Sequence, residues 1–287
     1  MNEPSGLHSA CLSVPELEKK AIEMRMDILD MIYTAQAGHP GGSLSATDIV
    51  TALYFRVMRV DPRNPQNPDR DRFILSKGHA CPVWYAALAN RGYFERAQLK
   101  TLRKLNSILQ GHADMKKTPG VDMTVGSLGQ GICVGIGMAL SARLNKRAYH
   151  VWVIVGDGEM QEGSVWEAAL AGAKWKLDNM TVIVDNNGLQ NDTYTASVMP
   201  MEPVAEKWRA FGWHVLEIDG NSMAQVVEAL ECAQQIHGKP VAIIAATVKG
   251  RGVSFMENMP EWHGKAPNST QFEQAMAEVA GGLGGGR

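Results

Sequence analysis

The feature that most constrains the fold is an apolar strand pattern that ends in Gly-Asp-Gly. The mostly β-branched run at 151–155 leads directly into Gly156, Asp157 and Gly158. An uninterrupted apolar run of this kind is typical of a strand buried on both faces of a parallel sheet. The two glycines permit a sharp turn and leave room for a ligand near the backbone. Asp157 therefore lies at a strand end, the edge of an open α/β sheet where ligands bind.

A second polar residue follows the next predicted strand. After a helical pattern at 164–173 and an apolar strand at 180–184, the chain reaches Asn187. One strand–helix–strand unit separates Asp157 from Asn187, so both side chains should reach the same sheet edge. A carboxylate with a neutral amide suits a hard cation such as Mg²⁺, which keeps positions open for phosphate oxygens and water. An ordinary nucleotide-binding α/β fold with a polar loop is the alternative interpretation.

The rest of the chain alternates strand and helix patterns, which predicts an α/β fold with a doubly wound parallel sheet flanked by helices. Ser13 to Glu16 has the pattern of a helix start, and 33–43 has that of an irregular loop. The other predicted strands cover 72–76, 214–218 and 240–248, and the other predicted helices cover 46–58, 82–90, 132–144 and 222–236. We expect a single domain over residues 1–279 and a disordered glycine-rich tail over 280–287.

Composition excludes several classes of function. A formal net charge of −2 gives no reason to expect nucleic acid or an anionic membrane as a partner. The four cysteines have no close spacing, which argues against a zinc site and a disulfide framework. Residues 1–13 lack a secretory pattern and no apolar run reaches membrane-spanning length, so we expect a cytoplasmic protein without a membrane segment.

Four histidines fall in predicted loops. His39, His79 and His112 each follow a glycine, and His263 lies in the loop at 259–265. Singly, each is interpreted as a structural or solvated loop histidine, and no pair has the local spacing of zinc ligands. Together they can form a proton-handling cluster, because histidine titrates near neutral pH and both donates and accepts.

A glycine cluster at 126–131 precedes the helix predicted at 132–144. It does not satisfy G-x-G-x-x-G, and no obvious strand precedes it, so a nicotinamide site is disfavoured. We interpret the cluster as a loop that lets a ring system approach closely, with the helix packed tightly behind it.

Four motifs occur in the order seen in transketolases: Gly38-His39-Pro40-Gly41, Ser76-Lys77-Gly78-His79-Ala80, Gly126-Ser127-Leu128-Gly129-Gln130-Gly131, and Gly156-Asp157-Gly158 with Asn187. The chain resembles that family over nearly its whole length. The resemblance implies the diphosphate-binding domain of the thiamine-diphosphate-binding fold. It also implies that Asp157, Asn187 and the carbonyl of Leu189 hold Mg²⁺, which in turn holds the diphosphate of thiamine diphosphate.

The resemblance assigns further roles around the cofactor. Gly126 would offer its carbonyl to the aminopyrimidine, Leu128 would pack beside the thiazolium, and Gly158 would donate its N–H to the diphosphate. The implied cofactor-binding set is His79, Gly126, Leu128, Gly156, Gly158, Glu159, Asn187 and His263.

The implied catalytic set is His39, His112, His263 and Glu162. The three histidines would hydrogen-bond sugar hydroxyls and move protons, and Glu162 would lie at a dimer interface and relay proton binding between sites. His112 departs from the family pattern because Ala113 follows it where the family has proline.

The resemblance covers only the diphosphate-binding half of a transketolase. It implies the N-terminal subunit of a split enzyme that transfers a two-carbon ketol unit from a ketose or ketose phosphate to an aldose or aldose phosphate. The expected partner is a C-terminal, pyrimidine-binding subunit in an α2β2 assembly, without which the chain would be inactive. A subunit of another thiamine diphosphate enzyme, such as a 2-oxo acid dehydrogenase or decarboxylase, and a non-catalytic cofactor-binding module are the alternatives. A pentose phosphate, a branched sugar phosphate and a sulfo-sugar all stay open as acceptors.

Overall fold

Five parallel strands form the central sheet of the computed structural model, which describes residues 11–191 and 193–282. The strands of the protein are β1 (Arg72–Leu75), β2 (Val151–Gly156), β3 (Met180–Asn186), β4 (Leu189–Gln190), β5 (Thr193–Tyr194), β6 (His214–Asp219) and β7 (Val241–Ala246). The sheet has the order β1-β2-β3-β7-β6, and every neighbouring pair is parallel. Strands β4 and β5 form a separate antiparallel pair. The predicted α/β class with a parallel sheet is confirmed.

Helices occupy the connections between the strands. They are α1 (Val14–Ala35), α2 (Pro40–Ser45), α3 (Thr47–Ala52), α4 (Cys81–Arg91), α5 (Gln130–Leu144), α6 (Gly163–Lys174), α7 (Thr195–Val198), α8 (Val204–Ala210), α9 (Met223–Ala233) and α10 (Ser269–Ala280). Short 3₁₀ turns lie at Gly78–Ala80, Arg96–Thr101, Gly158–Gln161 and Pro260–Trp262. Within the described residues, no helix is both long enough and apolar enough to cross a membrane.

Helix α1 begins where its capping pattern predicts. The backbone N–H of Ser13 donates to the Glu16 carboxylate at 2.8 Å, which satisfies one of the donors that a helix start leaves free. Leu17, Met24 and Ile28 recur on one face and are fully buried. The helix therefore packs against the core with the face that its sequence pattern predicts to be apolar.

The helix behind the glycine cluster lies very close to the sheet. A Cβ atom added at Gly135 of α5 would lie 2.8 Å from Cγ2 of Val153 in β2 and 3.1 Å from Cε of Met180 in β3. No larger residue fits there without displacing the core. The tight packing expected behind the cluster is confirmed, and it fixes where the loop before α5 lies.

Several elements differ from the sequence predictions. The segment expected as a loop over 33–43 includes the end of α1 and the start of α2, because Pro40 at the first helical position favours a helix start. The helix expected over 46–58 consists of α3 followed by a π-helical turn at Leu53–Val57. Helix α10 was not predicted, although Asn268 caps it by accepting from Gln271 N at 2.9 Å.

Helix α10 extends into the predicted tail, so Ala280 is helical. The remainder of the tail, 283–287, and the N-terminal residues 1–10 lie outside the described residues.

Candidate functional site

Four polar residues follow the carboxyl ends of four adjacent strands. Lys77 follows β1, Asp157 follows β2, Asn187 follows β3 and Lys249 follows β7. Asp157 and Asn187 therefore meet at one sheet edge, as expected. The sequence analysis did not identify the two lysines as site residues. The signal that could have found them is a charged residue shortly after an apolar strand. This edge is the usual ligand-binding position in a parallel α/β sheet.

The Asp157 carboxylate is held from three sides. Its Oδ1 accepts from Gly158 N at 2.8 Å, and its Oδ2 accepts from Gly188 N at 2.7 Å and Thr195 Oγ1 at 3.1 Å. The residue is buried, and that burial, together with the nearby charge of Asp185, raises the pKa of Asp157 to about 6. A buried carboxylate whose own charge is poorly compensated is suited to a cation.

The other two predicted metal ligands lie beside Asp157. Asn187 Oδ1 accepts from Leu189 N at 3.1 Å, and the Leu189 carbonyl faces Lys249, whose Nζ donates to it at 3.0 Å. The set is one carboxylate, one amide and one carbonyl, the oxygen ligands that Mg²⁺ accepts. No group of three or more His, Cys, Asp or Glu side chains in the described residues could hold a metal, so a zinc-type site is not found there.

Asp185 organises the polar groups under this edge. It is fully buried and accepts from Lys77 Nζ, from Thr247 Oγ1 and, at 2.6 Å, from Ser45 Oγ. Burial alone would raise the pKa of Asp185, but the Lys77 ammonium and the hydroxyl donors outweigh it and lower the pKa. Asn187 Nδ2 also donates to Asp185 at 3.2 Å. Asp185 thus orients Asn187 so that its amide oxygen points away from this carboxylate.

Lys249 is a buried ammonium without an acidic partner. It makes no ion pair within the part of the chain that the structure describes, and its Nζ contacts the Leu189 carbonyl and, at 2.9 Å, His263 Nδ1. Burial, and then the charge of Lys77, lower the pKa of Lys249 to about 8. Lys77 is already paired with Asp185, so Lys249 is the buried ammonium at this edge that favours binding of an anion.

Three of the predicted histidines form one cluster. The ring centroids of His39 and His79 are 5.1 Å apart, those of His39 and His263 are 5.3 Å apart, and those of His79 and His263 are 4.9 Å apart. His112 lies on the adjoining loop, where its ring Cγ is 3.7 Å from the position of a Cβ on Gly126. The shared setting expected from the sequence is therefore present in the fold.

The histidines of this cluster are neutral near pH 7. Burial, followed by the charges of Arg103 and other neighbours, lowers the pKa of His39 to about 4, and burial with the charge of Lys249 lowers that of His263 to about 3. The pKa values of His79 and His112 are lowered too, mainly by burial. His39 Nδ1 is buried without a hydrogen-bond partner in the described structure. Such an atom requires a ligand or water to satisfy it.

The 126–131 loop lies between the histidine cluster and the Asp157 turn. A Cβ on Gly78 would lie 3.0 Å from Gly126 N, so the loop closes directly over the residue before His79. Gly129, at a φ of 78°, is the N-cap residue of α5, and a Cβ on it would lie 2.8 Å from Cβ of Glu162. Leu128 is half-buried and Glu162 is exposed. The loop predicted to contact a ring system thus borders both the histidines and Glu162.

Arg103 is a further cation beside the histidines that the sequence patterns did not reveal. Its Cζ, Nε and Nη2 all lie 3.0–3.1 Å from the position of a Cβ on Gly111, so the guanidinium lies over the residue before His112. The side chain is exposed and makes no ion pair within residues 11–191 and 193–282. After burial, its charge is the next cause of the lowered pKa values of His39 and His112.

The chain is similar to known proteins over nearly its whole length. Residues 17–280 match the family model described as transketolase, thiamine diphosphate binding domain. The chain is 41% identical over 269 residues to one subunit of the apulose-4-phosphate transketolase of Phocaeicola vulgatus, covering 94% of this chain and 95% of that protein. It is 44% identical over 264 residues to 6-deoxy-6-sulfo-D-fructose transketolase subunit SqwG of Clostridium sp., covering 92% and 96%.

A solved structure shows the same fold. The crystal structure of transketolase from Campylobacter jejuni aligns with a TM-score of 0.88 and 29% sequence identity. The alignment covers 94% of this chain and 43% of that one. This chain therefore spans less than half of that transketolase and nearly all of the two relatives that are named as transketolase subunits.

Proposed function

The chain belongs to the transketolase family, and we propose that it is the thiamine diphosphate binding subunit of a two-subunit transketolase. The reaction is transfer of a two-carbon ketol unit from a ketose phosphate to an aldose phosphate. The observation that carries the proposal is the coverage: the chain matches proteins named as transketolase subunits along almost their whole length. Neither alternative, a 2-oxo acid enzyme subunit or a non-catalytic module, has a comparable observation in its favour.

The residues at the sheet edge fit the cofactor. We propose that Asp157, Asn187 and the Leu189 carbonyl hold Mg²⁺. The support is that all three oxygen donors lie at one sheet edge, where Asp157 accepts from Gly188 N and Asn187 accepts from Leu189 N. Lys249 would balance part of the charge of the diphosphate, whereas Lys77 is already paired with Asp185. Thiamine diphosphate, when bound, supplies the carbon centre that attacks the ketose carbonyl and carries the two-carbon unit.

Apart from Glu159, we propose that the remaining cofactor residues have the roles expected from the sequence. The Gly158 N–H, which donates to Asp157 Oδ1 at 2.8 Å in the structure, would turn to the diphosphate beside His79 and His263, and Gly156 would hold the turn below it. Gly126 and Leu128 would contact the rings of the cofactor from the 126–131 loop. The position of this loop between the histidine cluster and the Asp157 turn supports these assignments.

The histidines would handle the substrate hydroxyls. Because their pKa values lie below the usual range, His39, His112 and His263 are neutral at pH 7 and each can donate one hydrogen bond and accept another. A sugar hydroxyl needs such a partner when it loses or regains its proton. The unpartnered Nδ1 of His39 supports a ligand at this position.

The exposed surface near the 126–131 loop supports assembly with other subunits. Helices α5 and α6 pack against each other and expose the apolar side chains of Val134 and Leu170, which are 37% and 59% accessible. Large exposed apolar side chains beside a site are typical of protein–protein interfaces. We propose a C-terminal, pyrimidine-binding partner in an α2β2 assembly, with Glu162 at the interface.

The limits of the domain are also a proposal. Residues 1–279 would form one cofactor-binding domain, and the support is the packing of α10 on α1, where the rings of Tyr33 and Phe272 stack with centroids 4.2 Å apart. The cytoplasmic location stays a prediction from the sequence.

Reconstitution with the companion subunit tests the function. We expect ketol transfer between a ketose phosphate and an aldose phosphate only when both chains, thiamine diphosphate and Mg²⁺ are present. Asp157→Ala should abolish Mg²⁺-dependent cofactor binding in calorimetry. Turnover by this chain alone would contradict the two-subunit proposal, and decarboxylation of a 2-oxo acid without ketol transfer would contradict the transketolase assignment.

A further inference from the structure

Glu159 lies at a junction of three loop segments. It follows Asp157 by two residues in the turn Gly158–Gln161, and it is only 3% exposed. Its Oε1 accepts from Ser76 Oγ and, at 2.8 Å, from Gly129 N, and its Oε2 accepts from Gly156 N at 3.0 Å. The carboxylate therefore receives three donors, two of which are backbone N–H groups.

The three donors come from distant parts of the chain. Ser76 directly follows β1, Gly129 is the N-cap residue of α5 in the 126–131 loop, and Gly156 ends β2 directly before Asp157. The position of Gly129 is constrained further, because a Cβ there would lie 2.4 Å from Ser164 Oγ. One buried carboxylate thus joins the loop assigned to the cofactor rings to the turn assigned to the metal.

We propose that Glu159 is a positioning residue that fixes the 126–131 loop relative to the Asp157 turn, and so sets the span between the ring and diphosphate subsites. This inference rests on the proposed function. The sequence placed Glu159 among the residues that contact the cofactor. In the structure its oxygens already accept from three protein donors, so it acts through the loops that it joins.

The isosteric amide is the informative substitution. In Glu159→Gln, one oxygen becomes an NH₂ group. In either orientation of the amide, that NH₂ faces a backbone N–H, of Gly156 in one case and of Gly129 in the other, so one buried donor loses its acceptor. Ser76→Ala removes only the hydroxyl and leaves both backbone contacts, so its effect should be small.

Two measurements test the proposal. Hydrogen exchange of the chain without cofactor should show faster exchange of the amides of Gly129 or Gly156 in Glu159→Gln. In the complex reconstituted with the companion subunit, thiamine diphosphate with Mg²⁺ should bind about tenfold more weakly or worse. Glu228→Gln, the same change at an exposed site on α9, is the matched control and should behave as wild type in both.

The outcomes separate this proposal from the proposed function. If wild type binds thiamine diphosphate and Glu159→Gln binds it equally well, or if the variant only melts earlier with unchanged affinity, the positioning role is refuted and the function stands. If wild type itself fails to bind the cofactor, the proposed function is refuted. In that case, hydrogen exchange still tests whether Glu159 joins the two loop segments. Unchanged protection of the Gly129 and Gly156 amides in Glu159→Gln would disprove this.

Discussion

The Nζ atom of Lys249 donates a hydrogen bond to the Leu189 carbonyl oxygen at 3.0 Å, and that oxygen is one of the three proposed metal ligands. An ammonium and a metal cation compete for the same lone pairs. Loading of the site therefore requires Lys249 to give up this contact, and the diphosphate that arrives with the metal offers it a new partner. Lys249 should therefore lower the affinity for Mg²⁺ alone and raise the affinity for Mg²⁺ together with thiamine diphosphate.

Substitution of Lys249 by Met should consequently change two affinities in opposite directions. Mg²⁺ alone should bind more tightly because a nearby like charge is removed. Thiamine diphosphate with Mg²⁺ should bind about tenfold to a hundredfold more weakly because a charge-assisted contact is lost. Calorimetry of the reconstituted complex measures both. Lys239→Met, at an exposed position, is the control, and a parallel change of both affinities in Lys249→Met would contradict the competition.

Two glycines of α5 should respond oppositely to alanine. A Cβ at Gly131 would lie 2.5 Å from Ser76 Oγ and 2.8 Å from Ser76 Cα, and the backbone atom cannot yield without moving β1. We expect Gly131→Ala to lower the free energy of unfolding by about 1–3 kcal/mol. A Cβ at Gly137 meets nothing within 4 Å, so Gly137→Ala should raise it by up to about 1 kcal/mol. Urea unfolding of the chain alone compares them, and equal effects would show that helix propensity, not packing, governs both.

The free energy of unfolding should decrease at acidic pH partly because of His150, which lies away from the proposed site. Its Nε2 is 2.9 Å from Thr181 Oγ1, and burial, with the charge of Arg59, lowers the pKa of His150 to about 3. In the unfolded chain His150 binds a proton near pH 6.5, whereas in the folded chain it does so only near pH 3. The free energy of unfolding therefore decreases as the pH falls from about 6.5 towards 3. The contribution is about 2–3 kcal/mol between pH 7 and pH 4.5.

The variant His150→Gln keeps an acceptor or donor for Thr181 and cannot titrate. Its unfolding free energy should therefore decrease less than that of wild type between pH 7 and pH 4.5, as measured by urea unfolding at both values. The other buried histidines are common to both proteins and cancel in the comparison. Identical losses in the two proteins would show that His150 does not contribute.

Arg103 should help to recognise the charged end of the sugar. Its exposed guanidinium has no acidic partner in the described structure and lies over Gly111, beside the proposed substrate histidines. We expect Arg103→Gln to raise KM for a phosphorylated ketose about tenfold, because a charged contact is lost, while cofactor affinity stays unchanged. A neutral, unphosphorylated ketose should be used equally well by both enzymes. Lys104→Ala, the exposed neighbour, is the control, and equal losses on both ketoses would contradict a role in anion recognition.

Local sequence patterns predicted the parts of the fold that local energetics govern. Uninterrupted apolar runs identified β2 and β3, since a strand covered on both faces has no solvent-facing positions. The capping pair Ser13 and Glu16 located the start of α1. Asp157 and Asn187 were assigned to one edge, because parallel topology brings successive strand ends together.

The sequence alone indicated a carboxylate and an amide suited to a cation, and four loop histidines suited to proton transfer. It placed Asp157 and Asn187 at strand ends, but it did not reveal Lys77, Lys249 or Arg103. Only the tertiary structure decided what each group meets there: Lys249 against the Leu189 carbonyl, Arg103 over Gly111, and Glu159 beneath the 126–131 loop. Lys249 and Leu189 are 60 residues apart and Glu159 and Gly129 are 30 residues apart, so no local period or spacing in the sequence indicates these contacts. Burial then sets the charge of each group, since desolvation depends on everything packed around it.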